Sequence, residues 1–174
     1  MGIKENIEEV KRNIALAAEK AGRAPEEIYL IGATKMNDAA KVREAIAAGL
    51  TICGENRVQE LREKKEQGAY EGAKLHFIGH LQKNKVKYVV GAAELIHSVD
   101  STELMDEIHR RALDKGLIQD ILLEINVAGE SSKSGFTPAD LPAALAHAAA
   151  LSGLRVRGLM AVPPICESGE ENRP

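Results

Sequence analysis

The feature that most constrains this chain is an alternation: six short apolar runs, separated by stretches with helical spacing. A first helix is predicted over 3–21, where Ile3, Ile7, Val10, Ile14 and Ala17 recur at helical intervals and Gly22 ends the pattern. The apolar run 28–34 then reads as a strand that can be buried on both faces. Asp38 opens a helix carrying Ala39, Val42, Ala45 and Ile46 on one side, and Gly49 closes it. Further strands are expected at 51–53, 75–79, 95–99, 118–127 and 154–160. Helices are expected between them at 58–66, 84–90, 101–115 and 137–151, with Ser101 as an N-cap and Pro138 at a first helical position. After Pro163-Pro164 the chain reads as loop.

Strands alternating with helices argue for parallel β/α units, because parallel neighbours need a crossover and a helix supplies it. An open doubly wound sheet and a barrel both fit. The first strand is not followed by the Gly-rich turn of a dinucleotide-binding sheet. Instead polar residues follow strand after strand: Lys35, Asn56, His80, Asp100 and Asn126. In a barrel such ends meet at one face, where barrel sites lie. The expected fold is therefore α/β, a (β/α)8 TIM-type barrel read as one domain over 1–174. About six of its eight units fall in these 174 residues, so the barrel is expected to be incomplete at its C-terminal end. The first and sixth strands are then expected to be open edges, prone to association.

Composition narrows the function classes. A net charge of −3, 3% aromatic residues and no Trp place nucleic-acid binding behind other readings. The exposed-looking run Lys83, Lys85 and Lys87 keeps an RNA- or partner-binding scaffold as an alternative. Cys53 and Cys166 form no CxxC pair, which fits a reducing, cytoplasmic setting. No apolar run approaches the ~20 residues that span a bilayer, so no membrane association is expected. The charged, amphipathic start has no signal-peptide core, and Gly2 begins only a poor acylation motif because Asn6 stands where Ser or Thr is needed.

Lys35 is the first candidate for chemistry. A lysine directly after an apolar strand can be desolvated, lose its proton and condense with an aldehyde, or it can simply snorkel at a strand end. The stretch 54–60 (Gly-Glu-Asn-Arg-Val-Gln-Glu) offers hydrogen bonds to a ligand, or equally caps for the next helix through Glu55 or Asn56. His76 and His80 are four apart but on a strand, without the Glu of a zinc helix. The segment 129–135 sits where a phosphate loop would, but Ser132 precedes Lys133 where that motif needs Gly; its amides and Lys133 remain an anion-binding possibility.

The ordered set Ala33-Thr34-Lys35, 54–60, 76–85, Glu124-Ile125-Asn126-Val127 with Glu130, Lys133, Ser134 and Gly135, and 157–161 resembles the pyridoxal 5'-phosphate homeostasis protein family. These are short relatives of the alanine racemase N-terminal barrel. The resemblance implies a barrel holding pyridoxal phosphate at its strand C-terminal face, with the cofactor as a Schiff base on Lys35. It places Asn56 and Met160 near the cofactor. It implies a cytoplasmic carrier or regulator of the cofactor rather than an enzyme with established turnover, a monomer when the barrel is complete, with PLP-dependent apoenzymes as partners. The alternative within the same chemistry is an amino-acid racemase; that needs a second acid–base group, and Tyr29, Tyr70 and Tyr88 are not obviously placed for it. Family chains continue past Pro174 with loops that grip the cofactor phosphate. A chain ending there is expected to bind the cofactor weakly and to aggregate.

Overall fold

The computed structural model describes residues 2–127 and 134–172. The segment 129–135 that suggested an anion loop lies mostly outside them, and so does Lys133, as do Arg173 and Pro174. The described residues form two compact units, dividing after His76.

The first unit begins with helix α1, Ile3–Lys20. Strand β1 is Gly32–Ala33, helix α2 is Ala39–Ala47, strand β2 is Ile52–Glu55 and helix α3 is Val58–Glu66. Strand β1 runs parallel to β2 with Gly32 opposite Cys53 and Ala33 opposite Gly54. The Asp38 carboxylate caps α2 by accepting from the Lys41 amide at 2.8 Å, as its position predicts. Gly49, at φ +95, makes the turn out of α2 that a side chain would resist. The core is Val42, Leu50, Ile52, Cys53 and Leu61.

Two expectations fail in this unit. The strand over 28–34 shrinks to two residues, and none of Ile28, Tyr29, Leu30 or Ile31 is buried. Apolar composition alone does not make a strand: β1 has a ladder partner only at Gly32 and Ala33. Residues Pro25–Glu27 instead form a short 3-10 turn. Secondly, neither Glu55 nor Asn56 caps α3. Glu55 is the last residue of β2, and Arg57 holds the N-cap position without a side-chain bond.

Strand β3, Lys74–Phe77, leads into the second unit. There follow α4 (Val86–Val89), β4 (Leu95–Val99), α5 (Thr102–Asp114), β5 (Gln119–Glu124), α6 (Leu141–Ala149) and β6 (Leu154–Met160). Strands β4, β5 and β6 are parallel neighbours in chain order. Strand β5 buries alternate residues, Gln119, Ile121 and Leu123, and α5 buries Leu104, Met105, Ile108 and Ala112. Its ladder with β6 ends at Glu124 opposite Met160.

Helix α6 starts at Leu141, not Thr137, and Pro142 rather than Pro138 stands in its first turn. The reason is local: the Thr137 hydroxyl bonds the Asp140 carboxylate at 2.5 Å, and the Asp140 amide bonds the Thr137 carbonyl at 3.0 Å, closing a turn before the helix. Ser101 is the N-cap of α5, yet its hydroxyl turns to Asp100 Oδ1 at 3.1 Å instead of capping. No helix among the described residues is long and apolar enough to cross a membrane.

Candidate functional site

Each polar residue expected at a strand end is found just beyond its strand. In the first unit Lys35 follows β1 by two residues and Asn56 follows β2 by one. The Thr34 amide continues the ladder by donating to the Gly54 carbonyl at 2.9 Å, so Lys35 and Asn56 leave the paired strands side by side. In the second unit His80, Asp100 and Asn126 follow β3, β4 and β5, and Met160 ends β6, half-buried.

Lys35 is exposed, as the snorkelling alternative for a strand-end lysine has it. It sits in a tight turn: the Asn37 amide donates to the Thr34 carbonyl at 3.2 Å, and Asn37 Nδ2 to the Lys35 carbonyl at 3.1 Å. Met36, the next residue, has φ +62, a left-handed conformation that side chains resist.

Beneath this turn lies a buried polar cluster. Glu55 is fully buried, and its Oε1 accepts from the Thr34 hydroxyl at 2.5 Å, from Lys64 Nζ at 2.8 Å and from the Tyr70 hydroxyl at 2.9 Å. Lys64, 6% exposed, also donates to the Thr34 carbonyl at 2.7 Å and to Glu60 Oε2 at 3.1 Å. An ammonium has three protons, and all three are used. Glu60 Oε2 accepts from the Met36 amide at 2.8 Å, which with Lys64 and Arg57 holds its carboxyl below the ordinary value. Burial, then Glu55, pushes the Cys53 thiol up to about 11, partly offset by Lys64. Burial and the Glu55 carboxylate likewise raise the Tyr70 phenol far above its usual range. Tyr70 is therefore a structural donor, unsuited to exchange protons near neutrality.

Two buried oxygens in this unit have no hydrogen-bond partner among the described residues: Glu55 Oε2 and Asn56 Oδ1. A buried acceptor left unsatisfied is costly, and one beside an exposed lysine marks a place where a ligand donor would be welcome.

In the second unit, His80 Nδ1 lies 3.4 Å from Asp100 Oδ2. Both line a polar cavity of about 380 Å³ with Lys83, Ser101, Ser134 and Gly135. Lys83, Lys85 and Lys87 are exposed, and Lys87 lies 4.9 Å from the Tyr88 ring centre. Glu124 is raised above 4.5 by burial and by Asp100, with His80 opposing.

Sequence reading named Lys35 and Asn56 but missed the cluster that holds them. One signal was available. Leu61 and Lys64 are three apart on α3, so the face that buries Leu61 must bury Lys64 too.

Short parallel strands in chain order, the first five each followed by a polar residue, define a β/α protein of the TIM-barrel-like class. The family model for the alanine racemase N-terminal domain matches residues 6–172. A pyridoxal phosphate homeostasis protein of Aquifex aeolicus is 42% identical over 98% of this chain and 75% of its own length. Its counterpart in Pseudomonas aeruginosa is 40% identical over 92% of this chain and 70% of its own. Among solved structures, PipY of Synechococcus elongatus with PLP bound is 34% identical, with a TM-score of 0.76 over 91% of this chain and 74% of that one. The chain belongs to the pyridoxal phosphate homeostasis protein family, which carries the alanine racemase N-terminal domain.

Proposed function

We propose that this chain binds pyridoxal 5'-phosphate through Lys35 and serves the intracellular handling of that cofactor. The observation that carries the reading is Lys35 itself: an exposed amine on a fixed turn at the end of β1, beside Asn56, whose buried Oδ1 lacks a partner among the described residues. These residues fit the cofactor. Lys35 would hold its aldehyde carbon covalently, with release of water, and Asn56 Oδ1 would accept a hydrogen bond from it. When bound, the cofactor supplies an electrophilic carbon that stays open to exchange with other amines. The cofactor seen in PipY and the naming of the relatives support this reading.

An exposed anchor suits a carrier. Solvent reaches the attachment point, so the cofactor can be passed to PLP-dependent apoenzymes in the cytoplasm. Racemisation would need a second acid–base group, and Tyr70 is committed to Glu55. The test is an absorbance titration with pyridoxal phosphate, followed by borohydride reduction and peptide mapping. The pyridoxyl group is expected on Lys35, and Lys35→Ala is expected to lose it while keeping its unfolding midpoint. A reduced adduct on Lys133 or another lysine of the wild type would sink the assignment.

A further inference from the structure

Helix α3 carries two charged side chains whose targets are not each other alone but the main chain on either side of Lys35. Lys64 Nζ donates to the Thr34 carbonyl at 2.7 Å, in the peptide group that precedes Lys35. Glu60 Oε2 accepts from the Met36 amide at 2.8 Å, in the peptide group that follows it. The two residues are four apart on one helix face and pair with each other at 3.1 Å. Thr34 is held a second time, through its hydroxyl, by Glu55.

The turn between these grips is one that its own sequence disfavours. Its third residue needs positive φ, a position suited to Gly or Asn, and here it is Met36 at φ +62 with its side chain 85% exposed. No packing of the Met36 side chain accounts for that conformation. Two hydrogen bonds hold it instead: the Met36 amide to Glu60 Oε2 at 2.8 Å, and the Asn37 amide to the Thr34 carbonyl at 3.2 Å within the turn.

We propose that Glu60 and Lys64 are positioning residues for Lys35, clamping the peptide groups on both sides of it so that its amine projects from one fixed corner. This rests on the reading of Lys35 as the cofactor anchor. A lysine stem is long and its rotamer freedom large, so a covalent anchor gains affinity when the backbone beneath it is already ordered. The buried, fully used ammonium of Lys64 fixes the near side, and the partly exposed Glu60 the far side.

The test uses the whole protein and two readouts. The first is hydrogen exchange of the Met36 amide without cofactor; the second is the dissociation constant for pyridoxal phosphate by absorbance. Glu60→Ala is expected to speed Met36 exchange and to weaken binding, each about tenfold, the effect of one lost hydrogen bond. Glu60→Gln keeps an acceptor and is expected to restore both. Met36→Gly in the Glu60→Ala background, where the left-handed conformation is free, is expected to recover binding without recovering the contact to α3. A merely structural Glu60 would not be rescued from the turn. Should Glu60→Ala fail to fold, Glu60→Asp keeps the charge, shortens the reach and is expected to behave like the alanine. Unchanged Met36 exchange in Glu60→Ala overturns the clamp. Faster exchange with unchanged affinity overturns positioning while leaving Lys35 as the anchor. A wild-type adduct on another lysine overturns the anchor reading and the proposal with it, and the exchange data then still report on the clamp by itself.

Discussion

Glu55 and Glu124 each end a parallel strand, β2 and β5, and the two carboxylates meet opposite solutions to the same problem. Glu55 is the more deeply buried, yet a lysine, a threonine hydroxyl and a tyrosine hydroxyl converge on its Oε1. Glu124 is only partly buried, no lysine or arginine pairs with it among the described residues, and Asp100 adds a like charge. Depth of burial therefore does not decide which strand end is strained. The supply of donors does. One end gathers its donors on Oε1, steadies the turn of Lys35 and leaves Oε2 without a partner among the described residues; the other has no lysine or arginine beside it among those residues and lies close to Asp100 and His80, which line a cavity.

The comparison breaks most severely if Glu55 is made to resemble Glu124 by removing its cation. Lys64→Met keeps the apolar stem and deletes the charge. Stranding a buried carboxylate this way costs about 3–5 kcal/mol, a large part of the ~5–15 kcal/mol that typically holds a domain together. Urea unfolding of both proteins measures it. Glu55→Gln added to Lys64→Met removes the stranded charge while Thr34 and Tyr70 still have an oxygen to bond, so the double variant is expected to recover part of the loss. No recovery would mean that the cluster acts through packing rather than charge.

That cluster also shows where sequence legibility stops. Local chemistry was readable. Asp38 caps α2 because a carboxylate reaches an amide three residues on, and β4 and β6 fall where their apolar runs place them. Lys35 and Asn56 were readable as strand-end residues because parallel wiring puts polar groups there. What was not readable depended on partners distant in the chain. Run 28–34 is apolar enough for a strand, but only two of its residues find a ladder partner. Lys64 looks like any helix lysine until the Thr34 carbonyl, 30 residues away, is seen to be its acceptor. Pro138 looked like a helix start, and a Thr137–Asp140 bond that no periodicity reveals delays the helix to Leu141.

The backbone beside Glu124 offers the next largest effect. Gly135 has φ +117, and a Cβ there would stand 2.8 Å from the Asn126 nitrogen and 2.9 Å from the Glu124 carbonyl oxygen. Phe136 uses this close approach to donate to the Glu124 carbonyl at 2.8 Å and to accept from the Asn126 amide at 2.9 Å. Gly135→Ala must both strain the backbone and separate these groups, at about 2–3 kcal/mol. The loss should appear in the urea midpoint and in faster exchange of the Asn126 amide. An unaltered midpoint would show that the strand end can give way without cost.

Cys53 sharpens the other side of the comparison, since its thiol is raised to about 11 by burial and by Glu55. Alkylation of the native protein near pH 8 is expected to label Cys166 and spare the fully buried Cys53. In Lys64→Met the one influence that lowers the Cys53 thiol is gone, so a folded variant should resist alkylation to a still higher pH. Labelling of Cys53 at the rate of Cys166 in the folded protein would contradict the burial argument.

The smallest expected effect is the titration of Glu124. Its carboxyl is raised above 4.5 in the fold, by burial first and by Asp100 second. The unfolded chain therefore releases this proton at lower pH than the folded one does. Where both states are protonated, below about 4.5, the group costs the fold nothing electrostatic. As pH rises through the folded value, the folded state must carry a charge that burial and Asp100 disfavour, and the stability contributed by the neutral form is lost. Glu124→Gln does not titrate, so its stability relative to the wild type should improve as pH climbs from about 4 towards 7 and then level off. Asp100→Asn removes the second cause only and should shrink the pH-dependent part without abolishing it. Urea unfolding of the three proteins across that range measures the difference. A gap between Glu124→Gln and wild type that stays constant with pH would mean that Glu124 finds a donor in solution. Both carboxylates would then have donors, and the contrast between them would vanish.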